Sequence, residues 1–176
     1  MKPAWMEGLT CRLSAKSEYG RTGKRWSVFL LPQDIEAAVR RLDDHGFFLE
    51  DIAGMDSSDG LVVIYHFDHF TDPGRVVLHV TVPHHKPEIP SISAFFGGAR
   101  WHEREAADFF GFVFIGHPDP TPLLLPHDMD SHPLLKNEKD PRPLGDLLQP
   151  GTIIEKDPDF SLFDGSAPSD QQTGDH

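Results

Sequence analysis

Proline divides this chain unevenly: of sixteen prolines, ten fall after Gly116, at positions 118, 120, 122, 126, 133, 141, 143, 150, 158 and 168. Proline has no backbone N–H and a fixed φ, so this spacing forbids long helices and central strands beyond Gly116. Residues 117–155 are therefore read as an extended docking arm, and 156–176 as an acidic, disordered tail. Residues 25–116 are left as the folded core, preceded by a basic segment over 1–24.

Within the core, residues 26–31 form a short buried strand that Pro32 ends. Ile35, Ala38, Val39 and Leu42 then recur at helical spacing over 33–45, with Asp34 and Glu36 in the first turn and Gly46 as the stop. Residues 47–52 return as a strand. The clearest pair is 61–68 and 75–82, both rich in β-branched and aromatic residues, with turn chemistry at Asp72-Pro73-Gly74, which predicts an antiparallel hairpin. Residues 83–90 read as extended. Ser91 or Ser93 is expected to cap a short helix ending at Gly97-Gly98. A second helix over 99–110 is closed by Gly111, and 112–115 forms a last strand. The expected fold class is α+β: a small two-layer domain, a mixed sheet backed by helices, plus the Pro-rich arm.

Formal net charge is −12, which argues against a general nucleic-acid binder. The charge is polarised: residues 1–25 carry six basic side chains against two acidic, and 137–176 carry nine acidic against three basic. The single cysteine, Cys11, excludes an internal disulfide framework and a cysteine-only iron–sulfur cluster. No stretch approaches the roughly eighteen apolar residues of a membrane span, and residues 1–8 lack an apolar signal core. No Gly-x-Ser-x-Gly elbow and no phosphate-cradling glycine loop is present.

The block 101–136 is where chemistry concentrates. Glu103, Arg104, Glu105 and Asp108 stand directly before a run of phenylalanines. On a helix, Arg104 and Asp108 are i,i+4 and are expected to pair, with Trp101, Glu105 and Asp108 on one side and Glu103, Ala107 and Phe110 on another. The arrangement reads either as a solvated charged face or as a buried Glu–Arg–Asp network that fixes geometry at an interface. Downstream, His127, Asp128, Asp130 and His132 are crowded enough to suggest a metal-dependent hydrolase. Their proline-bounded setting suits plain turn residues equally. A third reading is an interaction module unrelated to electron transfer, suggested by the acidic, Pro-rich tail.

The sequence from Ala99 through Trp101, Glu103-Arg104-Glu105, Asp108, Phe110-Gly111-Phe112, Phe114 and Gly116-His117-Pro118 resembles the signature of the thirty-kilodalton subunit family of respiratory complex I, the NADH-quinone oxidoreductase. Leu124-Leu125-Pro126, Asp128, His132-Pro133-Leu134 and Lys136 match its continuation, and the likeness covers roughly 25–140. The resemblance implies a cofactor-free structural subunit whose arm wraps the large catalytic subunit. Iron–sulfur clusters and a quinone site, or a nickel–iron centre, would sit on partner subunits, and membrane contact would come only through the complex, on the cytoplasmic face. Its docking surface would comprise Trp101, Glu103, Arg104, Glu105, Asp108, Phe110, Gly111, Gly116, His117, Pro118, Asp128, His132, Pro133 and Lys136, with no catalytic or metal-binding residue of its own. Related subunits occur in energy-converting membrane-bound nickel–iron hydrogenases. Thr121-Pro122 stands where the respiratory form carries two arginines, and Leu135 and Asn137 depart from its Pro-Leu-Arg-Lys-Asp. These changes remove basic side chains and raise the weight of the hydrogenase alternative.

Overall fold

Runs of β-branched and aromatic residues make the middle of the sheet, because such side chains pack well on a pleated surface. The computed structural model describes residues 2–136 and 142–161. In chain order the elements are β1 (Leu13–Lys16), α1 (Tyr19–Thr22), β2 (Trp26–Leu30), α2 (Ile35–Asp44), β3 (Phe47–Ser57), β4 (Gly60–His69), β5 (Val76–Val82), β6 (Glu88–Pro90), α3 (Ala99–Phe110), β7 (Val113–Ile115), α4 (Leu144–Leu147) and β8 (Thr152–Lys156). Six strands join in the order β3-β4-β5-β2-β1-β8. β2 and β5 run parallel, with Val28 opposite Leu78, and the other neighbours are antiparallel. β6 and β7 form a separate parallel pair. The architecture is the α+β fold with a mixed sheet that the sequence implied.

One sheet face presents Val28, Leu30, Val63, Tyr65, Leu78 and Val80 to Ile35, Ala38, Val39 and Leu42 of α2. The opposite face presents Leu13, Ala15, Phe29, Val62, Ile64 and Val77. Burial on both sides explains why the central strands read as nearly continuous apolar runs rather than as alternation.

Four expectations are corrected. The segment before residue 25 is part of the core, since Trp5 and Met6 are buried and β1 pairs with β2. The strand after α2 continues to Ser57 and forms a hairpin with β4. No helix is capped by Ser91 or Ser93. The strand at 113–115 lies outside the main sheet.

The arm corrects a fifth. Residues 117–136 carry no helix or strand, but the chain then returns: Leu144 of α4 and Phe160 are buried against the second face, and β8 adds an edge strand beside β1. Pro150 and Pro158 bracket β8, which is where a strand can sit without losing ladder bonds. The end of the arm therefore covers its own sheet, and residues up to 161 are placed. The remainder of the acidic tail expected to be disordered, 162–176, lies outside the described residues.

His79 of β5 points into the second face and stacks on Phe29 at 4.3 Å between ring centroids. Neither ring nitrogen finds a hydrogen-bond partner among the described residues. Burial, helped by the positive charge of Lys24 and by His66, lowers its pKa to about 3. The native ring thus stays neutral where an unfolded one, near 6.5, takes a proton.

Two outcomes are expected. Leu144→Ala should cost about 3 kcal/mol, as for other buried leucines, read as a drop in the urea midpoint. A surface-level change below about 0.5 kcal/mol would show that the arm's end is not part of the domain. His79→Leu should gain stability relative to the parent as pH falls from 6.5 towards 3, by about 1.4 kcal/mol per pH unit. Thermal melts of both proteins across that range provide the check.

Candidate docking site on the charged helix and its arm

α3 can lie directly on β3 because residue 54 is glycine. A Cβ there would stand 2.3 Å from the Phe110 ring, so any larger residue would push the helix off the sheet. Gly111 then ends α3 in the left-handed region at φ 76°. Phe110 and Phe112 lie with ring centroids 6.1 Å apart beneath that turn.

Glu103 is fully buried. Its Oε1 accepts the Ile92 N–H at 2.7 Å and its Oε2 accepts the Ser91 hydroxyl at 2.6 Å. Ser91 and Ser93 share a further hydrogen bond at 2.7 Å. These commitments explain why the serines cap no helix of their own: they tie 91–93 to α3. Burial raises the Glu103 pKa to about 7, outweighing the two hydrogen bonds that favour the carboxylate. The buried hydroxyl of Tyr65 is pushed well above its ordinary range by burial and then by Glu103. His117 closes the group. Its side chain is 2 % exposed, with Nε2 3.8 Å from Glu103. Nδ1 accepts the Asp119 N–H at 3.1 Å and Nε2 donates to the Arg100 carbonyl at 3.1 Å, which together specify the neutral Nε2–H tautomer.

Arg104 and Asp108 do not pair with one another as expected. Each reaches across to the arm. Arg104 donates to the Thr121 carbonyl at 2.7 Å, the Thr121 hydroxyl at 3.2 Å and the Pro122 carbonyl at 3.0 Å, and lies 3.4 Å from Asp119. Asp108 accepts three consecutive backbone N–H groups on one oxygen, from Leu123 at 2.9 Å, Leu124 at 2.7 Å and Leu125 at 3.1 Å. Burial pushes the Asp108 carboxyl up, but the three N–H bonds, aided by Arg104, hold it below its usual value. His132 Nδ1 donates to the Asp108 carbonyl at 2.8 Å. Further along, Asp56 holds the Lys136 N–H at 2.8 Å and receives His84 at 2.7 Å, and Asp59 takes the Leu144 N–H at 2.6 Å.

The remaining signature residues divide. Trp101, Glu105 and Asp108 share one side of α3 as expected, but only Asp108 is buried, because the arm covers it, while Trp101 and Glu105 stay exposed. The Arg104 guanidinium lies 5.6 Å from the Trp101 ring centroid. Gly116 turns β7 into the arm with φ 81°. Pro118, Asp128, Pro133 and Lys136 are exposed along it. His127, Asp128, Asp130 and His132 do not converge: among the described residues, no group of three His, Cys, Asp or Glu side chains could hold a metal ion. Cys11 is half-buried and pushed up to about 11 by burial and then by Glu155, which disfavours the thiolate. Sequence reasoning missed Ser91, Asp119 and Thr121, whose turn chemistry was visible, and Asp56 and Asp59, whose partners lie 80 and 85 residues away. Among the described residues no helix is long and apolar enough to cross a membrane.

A sequence family described as Respiratory-chain NADH dehydrogenase, 30 Kd subunit, matches residues 28–142. The chain is 38% identical over 118 residues to the C subunit of the NADH-quinone oxidoreductase of Roseiflexus sp. (strain RS-1), covering 63% of this chain and 68% of that one. It is 32% identical over 172 residues to the NADH-quinone oxidoreductase subunit 5 of Thermus thermophilus, covering 82% and 80%. Among solved structures it resembles the trypsin-resistant fragment of Nqo5, with TM-score 0.51, 31% identity and coverage of 53% of this chain and 81% of the fragment. It shares its fold with a chain of the membrane-bound sulfane sulfur reductase, an archaeal respiratory membrane complex, at TM-score 0.55 and 19% identity, over 64% of this chain and 67% of that one.

Asp108→Ala is expected to release the arm near 123–125, because three N–H groups lose one shared acceptor. Amide exchange of Leu123, Leu124 and Leu125 should quicken at least about tenfold, equivalent to about 1.4 kcal/mol of lost protection, with α2 amides unchanged. Unaltered exchange at 123–125 would remove Asp108 from this role.

Proposed function

The chain belongs to the Respiratory-chain NADH dehydrogenase 30 Kd subunit family, and on that premise we propose that it is a structural subunit of an NADH-quinone oxidoreductase. In this reading it carries no redox group of its own. It docks through α3 and the arm onto the large catalytic subunit, beside the iron–sulfur subunits, on the cytoplasmic face of the membrane. Electron transfer to quinone and any coupled ion movement belong to the assembly.

One observation carries the reading. Of the eleven large apolar residues found exposed among the described residues, seven lie on α3, β7 or residues 117–136: Trp101, Val113, Ile115, Leu124, Met129, Leu134 and Leu135. Exposed apolar residues gathered on adjoining elements support an interaction site there. The same elements carry Arg104 and Asp108, whose bonds fix the arm's path. Preorganising a segment before it meets its partner lowers the ordering cost of binding.

The Roseiflexus and Thermus relatives carry NADH-quinone oxidoreductase names, which favours this reading over the hydrogenase one. The Thr121-Pro122 departure also has a local use, since both residues offer carbonyls to Arg104.

An affinity-tagged chain recovered from detergent-solubilised membranes should bring down the large and iron–sulfur subunits with NADH:quinone reductase activity. Recovery as a free monomer would overturn the proposal. Arg104→Ala should reduce incorporation into the complex severalfold while shifting the melting temperature of the isolated chain by only a few degrees. Normal incorporation would show that Arg104 does not prepare the docking face.

A further inference from the structure

Between α3, β7 and the arm lies a pocket of about 390 Å³. Its walls are apolar, with Ala107, Phe112, Phe114, Leu125 and Met129 among them. Its polar lining includes Asp108, the buried Glu103, Thr121 and Ser131. His132 spends Nδ1–H on the Asp108 carbonyl. The lining cation is Arg104, and its guanidinium is taken up by Thr121, Pro122 and Asp119. Next in sequence to the lining residues, Asp128 and Asp130 flank Met129, and Asp119 precedes Pro120; all three are exposed. The pocket thus offers apolar walls beside the Asp108 carboxylate, with its lining arginine committed to the arm.

We infer that this pocket receives a bulky apolar side chain from a basic segment of the partner subunit, whose lysine or arginine lies across Asp128 and Asp130. The inference rests on the docking reading above and specifies its anchor. Concave, desolvated pockets at the centre of an interface are where anchoring side chains contribute most. The exposed Trp101 and Leu124 continue the apolar surface outside it. An acidic rim speeds encounter with a cationic segment and disfavours an acidic one.

The test uses the assembled complex. A photoreactive phenylalanine analogue is placed at Met129, inside the pocket, or at Trp101, on the docking face outside it. After irradiation the linked peptides are sequenced. The expected result is a Met129 adduct on another subunit, at a peptide carrying lysine or arginine next to the linked residue. Adducts only to this chain, to lipid or to an acidic peptide would overturn the inference. A Trp101 adduct to a partner without a Met129 one would leave docking intact and remove the pocket's role. Absence of both, in a chain that co-purifies with the complex, would reject the docking face itself. As a second readout, Asp128→Lys combined with Asp130→Lys should make the subunit dissociate at lower ionic strength. An unchanged salt dependence would overturn the basic character assigned to the partner segment.

Discussion

Backbone donors are scarce in the arm after Gly116, because prolines at 118, 120, 122 and 126 remove them, and those at 123–125 converge on one oxygen of Asp108. A proline-interrupted segment cannot use a ladder of its own to satisfy its N–H groups, yet buried donors must find acceptors. Short carboxylates on the folded core meet that need. Asp108, Asp56 and Asp59 each take arm amides, and Arg104 supplies the complementary donors to arm carbonyls. Hydrogen bonds to charged groups contribute roughly 1.5–3 kcal/mol each, about twice a neutral one. Three anchors at intervals along the chain are enough to set the arm's course. Arg104 and Asp108 of α3 are therefore committed to geometry, and the course of the arm depends on them.

The return of the arm follows from a second constraint. A mixed sheet whose central strands are apolar on both sides needs cover on both faces. α2 and α3 serve one face. The other is closed by Leu144 and Phe160, which the chain brings back after its open stretch. Asp59, at the turn joining β3 to β4, holds the Leu144 N–H at the place where the chain crosses over. The arm thus has two parts with different work. Residues 117–136 lie largely exposed beside α3, and 144–160 complete the core.

Elements whose cause is local were legible in the sequence. α2, the β4–β5 pair and α3 with its Gly111 stop were all expected, because periodicity and turn chemistry act within a few residues. The importance of Glu103, Arg104 and Asp108 was legible too, through the unusual mixing of charge with phenylalanine. What they bond to was not. An i,i+4 spacing suggested that Arg104 and Asp108 satisfy one another, but their partners on the arm lie 17 and 15 residues away, where no helical period reaches. β1 and β8 were missed because β8 pairs with a strand from the far end of the chain, and because basic and proline-rich flanks masked short strands. Gly54 gave no signal at all, since its role is visible only once Phe110 lies over it.

The two buried titrating groups at the heart of the fold act in opposite senses. Glu103 rises from 4.5 to about 7, so between those values the native state holds a proton that the unfolded chain has lost, and stability falls as pH rises. His79 drops from 6.5 to about 3, so between those values the unfolded chain binds a proton that the native state refuses, and stability falls as pH drops. From 4.5 to 6.5 both windows apply, and slopes of about 1.4 kcal/mol per pH unit oppose one another. Over that range the two contributions offset, though the groups lie on opposite faces of the sheet and share no contact. Glu103 also bears on the start of the arm: its Oε2 lies 3.8 Å from the His117 Nε2, and that ring accepts from Asp119 and donates to Arg100. The burial of this carboxyl and the path of the arm at Gly116–Pro118 are in this way two aspects of one packing arrangement.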